Sequence, residues 1–223
     1  MRKLTVLLFV ALFCCGFAPR KSPKAAVPSQ TTETEVEVAD SLAPLYDYTD
    51  AIKLIYARHD TVGGRQLLLR AVERDSAYAP ALYMLGIDAE TYDNAAAEDF
   101  SRRAYEADTA NKWYTRQYAR TKIINGRYGE AVPLFEKLLR DEPSEPDNYR
   151  MLALLYQQQN KPYSALVILD SAEVRFGRLP MLGQMKRGLL VGTHQYDKAL
   201  TEAEAIAAES PYDITAHIAL GEL

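Results

Sequence analysis

An all-α solenoid of antiparallel helix pairs is the fold expected of this 223-residue chain. The strongest reason is a small residue that returns at a fixed interval: Ala97, Ala131, Ala165 and Ala199 are 34 apart in turn. A second series closes each interval. Asp108 and Glu142 are 34 apart, as are Pro143, Gly177 and Pro211 in turn. Self-similarity at such a period marks a repeat architecture, and each interval has room for two helices of about 14 residues and two short turns. Composition agrees, with 48% hydrophobic residues to build a core. The 26 Lys and Arg against 30 Asp and Glu give a net charge of −4, without the basic excess of a nucleic-acid binder.

Taken in order, the chain opens with a leader. Arg2 and Lys3 precede an apolar run, Leu4 to Phe13, broken only by Thr5. That run falls short of the roughly 20 residues a bilayer span needs, so residues 1–14 read as a secretory signal. Leu12-Phe13-Cys14-Cys15-Gly16 resembles a bacterial lipobox, in which a cysteine is lipidated and becomes the mature N-terminus. The resemblance implies Cys15 as the lipid-bearing residue, because Cys14 before the cut is smaller than Phe13. Ordinary cleavage after Ala18 is the alternative, with Pro19 following that cut. Both cysteines lie here, so the rest of the chain has no disulfide, thiolate metal site or cysteine nucleophile.

Residues 15–43 are expected to form a flexible tether. Pro19, Pro23 and Pro28 break helices, and basic Arg20, Lys21 and Lys24 give way to acidic Glu33, Glu35, Glu37 and Asp40. About 25 flexible residues span on the order of 25–30 Å, enough to hold a folded body off a membrane. Thr34 to Val38 alternates like a strand but has no strand to pair with.

Residues 44–223 carry the repeats, expected at about 45–78, 79–111, 112–145, 146–179 and 180–213, with a sixth opening at 214–223. In the unit 146–179, Tyr149, Leu152, Ala153 and Tyr156 share one helical face. Asn160 and Lys161 make the turn, Pro162 sits where its missing N–H costs little, and Ala165, Leu169 and Ala172 form the facing stripe. This resembles the tetratricopeptide repeat, whose pattern is W-x2-L-G-x2-Y, then A-x3-F-x2-A, then P. Tyr149 stands in the tryptophan place and Ala153 in the glycine place. The resemblance implies a right-handed α-solenoid and covers about four fifths of the chain.

The other units match in different degrees. The third gives Gly126, Tyr128, Ala131, Phe135 and Pro143. The second gives Leu82, Leu85, Gly86, Ala89, Ala97, Ser101, Ala104 and Asp108, one residue short, with the deletion expected in the turn near Tyr92 to Asn94. The first gives Tyr48, Ala51, Ile55, Gly64, Leu68, Ala71 and Asp75. The fifth is regular in its second helix (Tyr196, Ala199, Ala203, Ile206, Pro211), but its first helix puts Lys186 and Arg187 where Leu and Gly belong. A register slip is expected there, near Gly183 and Gly188. Ile214, His217, Leu220 and Gly221 open a sixth unit without a second helix, which predicts the front part of a longer array.

Fifteen tyrosines against six phenylalanines are explained by repeat positions such as Tyr48, Tyr128, Tyr149, Tyr156 and Tyr196, which take a large ring with one wet edge. No catalytic constellation emerges. His59, His194 and His217 lack the i, i+4 partner of a helix-borne zinc pair. His217 falls in the tryptophan-like packing place, where a core or rim histidine is expected. Gly63-Gly64 lacks the lysine of a phosphate loop, and no G-x-S-x-G elbow is present. A non-enzyme without cofactor or metal is therefore expected.

What the resemblance implies is a binding groove on the first helix of each pair. Its contact positions fall on Tyr46, Thr49, Lys53 and Tyr56; on Tyr83, Ile87 and Glu90; on Trp113, Arg116, Arg120 and Ile123; and on Asp147, Arg150, Leu154 and Gln157. Rings beside arginines suit peptide or protein partners, and Arg116, Arg120 and Arg150 read either as receptors for an acidic segment or as a solvated face. They do not reproduce the lysine–asparagine pattern of family members that clamp a chaperone tail. The expected function is a scaffold in the bacterial cell envelope, membrane-anchored through its lipid and gathering other envelope proteins in the periplasm or at the surface. The alternatives are an accessory carrier of polysaccharide or another small ligand, and the front of a longer protein whose remainder carries an activity.

Overall fold

The computed structural model describes residues 31–209, 212 and 214–221. The signal expected at residues 1–14, Cys15 and the part of the expected tether up to residue 30 lie outside the described residues. Two units are distinguished, Met1–Asp40 and Ser41–Leu223. In the first, the described part is the opening of helix α1 (Thr31–Ile52). The tether expected through residue 43 is corrected here, because residues from Thr31 onward are helical. Between Pro28 and Pro44 no residue breaks a helix. Pro44, which reads as a boundary, lies inside the helix and is buried.

The second unit is all helix and turn among the described residues. After α1 comes a π-helical turn, Lys53–Ala57, closed by Asp60 N–H donating to the Leu54 carbonyl at 2.9 Å. Then follow α2 (Thr61–Arg74), α3 (Ala79–Ala89), α4 (Asn94–Ala107), α5 (Lys112–Ile124) and α6 (Tyr128–Asp141). The series continues with α7 (Pro146–Gln158), α8 (Pro162–Phe176), α9 (Pro180–Gly192), α10 (Tyr196–Glu209) and α11 (Ile214–Gly221). From α3 onward each first helix packs on its own second helix, and each second helix on the next first helix.

The periodic alanines are buried between the helices of each pair. Ala97, Ala131, Ala165 and Ala199 are at most 1% exposed. Facing positions on the first helices are equally small: Gly86, Ala119 and Ala153 are all buried. A Cβ built on Gly86 would lie 2.5 Å from Ser101 Oγ, so these two helices touch almost backbone to backbone. Leucines and aromatic rings fill the flanks, as where Tyr149 meets Phe176 edge-on at 5.4 Å and donates to the Pro143 carbonyl at 3.1 Å.

Turns between the helices of a pair repeat too. Gly126, Asn160 and His194, one repeat apart in turn, have φ of 72°, 58° and 60°. The next residue's N–H returns to the carbonyl five positions back in all three: Arg127 to Lys122, Lys161 to Tyr156, Gln195 to Leu190. That is the Schellman closure of a helix end, with a left-handed residue at its corner. His194 is thus a helix stop, its ring 2.8 Å from the Tyr196 hydroxyl. His217 is exposed rather than core.

Two expectations about register change. The starts of α3 and α4, Ala79 and Asn94, are one position closer in sequence than Lys112 and Tyr128 or Pro146 and Pro162. The deletion does not shorten the turn: α3 has 11 residues against 13 in α5, and the connection Glu90–Asp93 is one residue longer than Asn125–Arg127. In the fifth pair no slip occurs, since α9 and α10 each begin one full repeat after α7 and α8. Polar contacts bridge pairs as well: Lys122, almost fully buried, reaches Glu98 of α4 at 2.9 Å and Glu130 of α6. Burial alone would lower its pKa, and the bonds to Glu130 and Glu98 outweigh that and raise it.

The tight crossing gives a test. Ser101 Oγ is buried without a hydrogen-bond partner, so Ser101→Ala is expected to leave stability unchanged or raise it by up to about 1 kcal/mol. Gly86→Ala should cost about 1–2 kcal/mol by overpacking and much less in the Ser101→Ala background. Urea denaturation of the two single variants and the double variant reads the coupling, and strict additivity would contradict the contact.

Candidate partner groove

The groove is built from one helix face and its two flanks. Trp113, Arg116, Gln117, Arg120, Ile123 and Ile124 fall at helical spacing along α5. Tyr83 of α3 borders one side, and Asp147, Arg150 and Met151 of α7 the other, with Phe135 of α6 beneath. Together they enclose about 480 Å³, within the range of ligand sites. Trp113, the chain's single tryptophan, is 53% exposed. Burial lifts the Tyr83 phenol above its ordinary pKa, and its ring lies 5.3 Å from that of Tyr114.

Each groove arginine has an acidic partner within the chain. Arg120 Nε donates to both oxygens of Glu90 at 3.1 and 3.0 Å, and Gln117 donates to the same carboxylate at 2.8 Å. Arg150 is held by Asp147 one turn earlier on its own helix, at 2.6 Å. Arg116 donates to Asn148 Oδ1 at 3.2 Å and stands 3.5 Å from Glu142, which Lys112 also engages. The Arg116 guanidinium lies 5.4 Å from the centre of the Trp113 ring, a cation–π distance. Its Nε is buried and lacks a hydrogen-bond partner. The three arginines are therefore not a free basic patch, although Arg120 remains largely exposed. They are compensated cations flanking an apolar floor.

Asn148 sets this geometry. It is wholly buried, and its Nδ2 donates to the carbonyls of Leu138 and Glu142, both at 3.3 Å, at the end of α6. One side chain thus ties α6, α7 and Arg116 of α5 together.

Of the positions expected in the groove, Tyr83, Trp113, Arg116, Arg120, Ile123, Asp147 and Arg150 line it. Glu90 enters as the partner of Arg120. Leu154 and Gln157 lie outside its lining, half-buried and exposed respectively. Tyr46, Thr49 and Lys53 are exposed on and just after α1, with Thr49 bonded to the Leu45 carbonyl and Lys53 to Asp50 at 2.8 Å. Tyr56 and Ile87 line a separate apolar pocket of about 150 Å³ with Ile55 and Met84, beside the Arg65–Asp88 pair. Gln117, Ile124, Phe135 and Met151 were not expected. Ile124 continues the Trp113 stripe three turns on. Phe135 is the aromatic of the A-x3-F signature, and no spacing rule exposes it from below.

Among the described residues no three His, Cys, Asp or Glu are grouped to hold a metal ion, and no helix is long and apolar enough to cross a membrane.

This arrangement of helix pairs recurs in solved proteins. A tetratricopeptide repeat protein from Parabacteroides merdae is 16% identical, with 81% of this chain and 72% of that one covered at a TM-score of 0.66. MamA from Desulfovibrio magneticus RS-1 is 13% identical, with 77% and 97% covered and a TM-score of 0.64. YrrB, described as a TPR protein with an unusual peptide-binding site, is 21% identical over 69% of this chain and 80% of its own, at 0.53. The chain has the fold of a tetratricopeptide-repeat protein. No family model matches the sequence, and no curated protein matches it either.

Because Asn148 is buried with both ends of its amide engaged, Asn148→Ala should destabilise the protein by about 2–3 kcal/mol. Asp147→Ala, removing an exposed partner on the same helix, should change stability by less than about 0.5 kcal/mol. Chemical denaturation separates the two, and equal effects would remove Asn148 from its central place.

Proposed function

We propose that this protein is a non-catalytic scaffold that binds a peptide or protein segment in the groove on α3, α5 and α7. The observation that carries the reading is the pairing of a half-exposed Trp113 with arginines already balanced by Glu90, Glu142 and Asp147. An apolar anchor against Trp113, Ile124 and Met151 gains contact area. Arg150 can turn to a partner carboxylate at small cost, because its bond to Asp147 is local and exposed. The likeness to YrrB, a peptide-binding protein by its description, points the same way.

The place of action in this reading is the bacterial cell envelope, with the chain exported, lipidated at Cys15 and gathering other envelope proteins. The carrier of a polysaccharide or small ligand is the competing reading, favoured by the exposed Trp113 ring.

A photo-crosslinking side chain at Ile124 should capture a defined envelope protein, and Trp113→Ala should weaken that capture about tenfold or more. Capture unaffected by Trp113→Ala would remove the groove from the interaction. Thermal stabilisation by oligosaccharides without protein capture would replace the scaffold by the carrier.

Anchoring has its own test. Cys15→Ala should release the protein from the membrane fraction, and mass spectrometry of the wild type should show a lipid adduct. Unchanged fractionation with no adduct would sink the lipid anchor.

A further inference from the structure

A cavity larger than the groove lies on another part of the array. This channel of about 620 Å³ runs between the two second helices α8 and α10, floored by α9. Its origin is legible by comparing the fifth pair with the fourth, one repeat earlier. In the fourth pair Tyr156 occupies the equivalent place and its hydroxyl donates to Glu136 at 2.9 Å. In the fifth, those two positions are Leu190 and Asp170, so the ring is missing and the carboxylate is left to other partners. Two further changes make the floor polar. Leu152 and Ile168 of the fourth pair become Lys186 and Glu202.

The charges in the channel do not balance. Lys186 and Lys198 stand against Asp170, Asp197 and Glu202, two positive groups against three negative. Lys186 is already committed, 2.8 Å from Asp170 and 2.5 Å from Glu173. Glu202 is only 7% exposed, and Lys186 Nζ stays 3.6 Å from it, beyond hydrogen-bond reach. Burial raises the Glu202 pKa and Glu173 reinforces the rise, while Lys186 and Arg178 offset it only in part. The apolar side of the channel comes from Leu166, Leu190 and Val167, and the Tyr163 ring stands exposed at its edge.

We propose that this outer channel is a binding site for an organic cation, a primary ammonium or guanidinium group carried on an apolar stem. The head group pairs with Glu202 and Asp170, and the stem lies on Leu190 and Val167. Tyr163 offers its ring face to the charge. The Lys186 ammonium is enclosed by carboxylates and Lys198 Nζ donates to Gln195 Oε1 at 2.8 Å, so the excess charge of the lining is negative and favours a cation over an anion. The site lies on helices other than those of the groove, so neither reading depends on the other.

Titration calorimetry of the full chain at low ionic strength tests this with 1,5-diaminopentane and with a short arginine-containing peptide, acetyl-Ala-Arg-Ala-amide. Saturable binding of at least one probe is expected, weakened about tenfold or more by Glu202→Gln, which removes a charge-assisted bond. Leu190→Tyr should abolish it by refilling the channel, its hydroxyl reaching Asp170 as Tyr156 reaches Glu136. Tighter binding of the diamine assigns a free small cation, and tighter binding of the peptide assigns a basic side chain of a partner. Silence from both probes overturns the proposal, as does binding left intact in Glu202→Gln. Equal binding of uncharged 1-pentanol would overturn it too.

Discussion

The closest approach of the two helices in each pair is the constraint on which the rest depends. Where Ala131 meets Ala119 and Ala165 meets Ala153, neither side chain extends beyond Cβ, and all four are fully buried. Packed interiors tolerate little excess volume, so this contact fixes the separation and stagger of the helices. Leucines such as Leu138, Leu152 and Leu169 then fill the spaces that the separation leaves. The fifth pair shows the same constraint met differently. Arg187 occupies the small position, and Gly183, one turn earlier, leaves room for the Ile206 side chain: a Cβ there would lie 2.9 Å from its end. Ala203 in the second helix, where earlier pairs have Leu169 and Phe135, supplies further room. The expected register slip does not occur, and α9 and α10 keep the repeat spacing with Arg187 in the small position.

Turn geometry follows from the same stagger. A first helix must reverse into its partner within a short connection, and a left-handed corner at Gly126, Asn160 or His194 achieves this. Only glycine occupies that conformation without a Cβ penalty. Asn160 and His194 hold it inside a closed hydrogen-bonded turn, which shows how firmly the pair dictates its own connection. The second pair lacks such a corner, and there the first helix stops sooner and the connection lengthens.

These relations explain what could be read from the chain alone. The alanine period specifies the helix pairs because burial at zero volume leaves a residue-type signature. The Trp113 stripe is legible for a similar reason, as an apolar and basic pattern at helical spacing. The fate of its arginines is not. Glu90 on the preceding pair holds Arg120, and Glu142 beyond the end of α6 stands by Arg116, across helices whose relative rotation no local pattern encodes. The location of the second unit's deletion is hidden too, since a missing residue can be absorbed by helix or turn with equal effect on the period. At the N-terminal side, proline misleads: Pro44 reads as a boundary, yet α1 runs through it with the ring buried.

The two candidate sites lie where a repeat array can vary without altering its frame. Both depend on positions beside the small-residue contact, where substitution leaves the crossing intact. On α5 the large exposed position carries Trp113, and buried Asn148 holds Arg116 beside it. On the opposite kind of surface, between second helices, replacing one ring by Leu190 opens a channel that its neighbour fills with Tyr156. The polar substitutions arrive with the space: Lys186 would be an unpaired buried charge without Asp170 and Glu173, a costly arrangement. Those three residues form one unit, and Glu202 stands at its margin, 3.6 Å from the same ammonium. An array whose stability resides in its alanines can vary such positions pair by pair, so chemistry follows the departures from the repeat rather than the repeat itself.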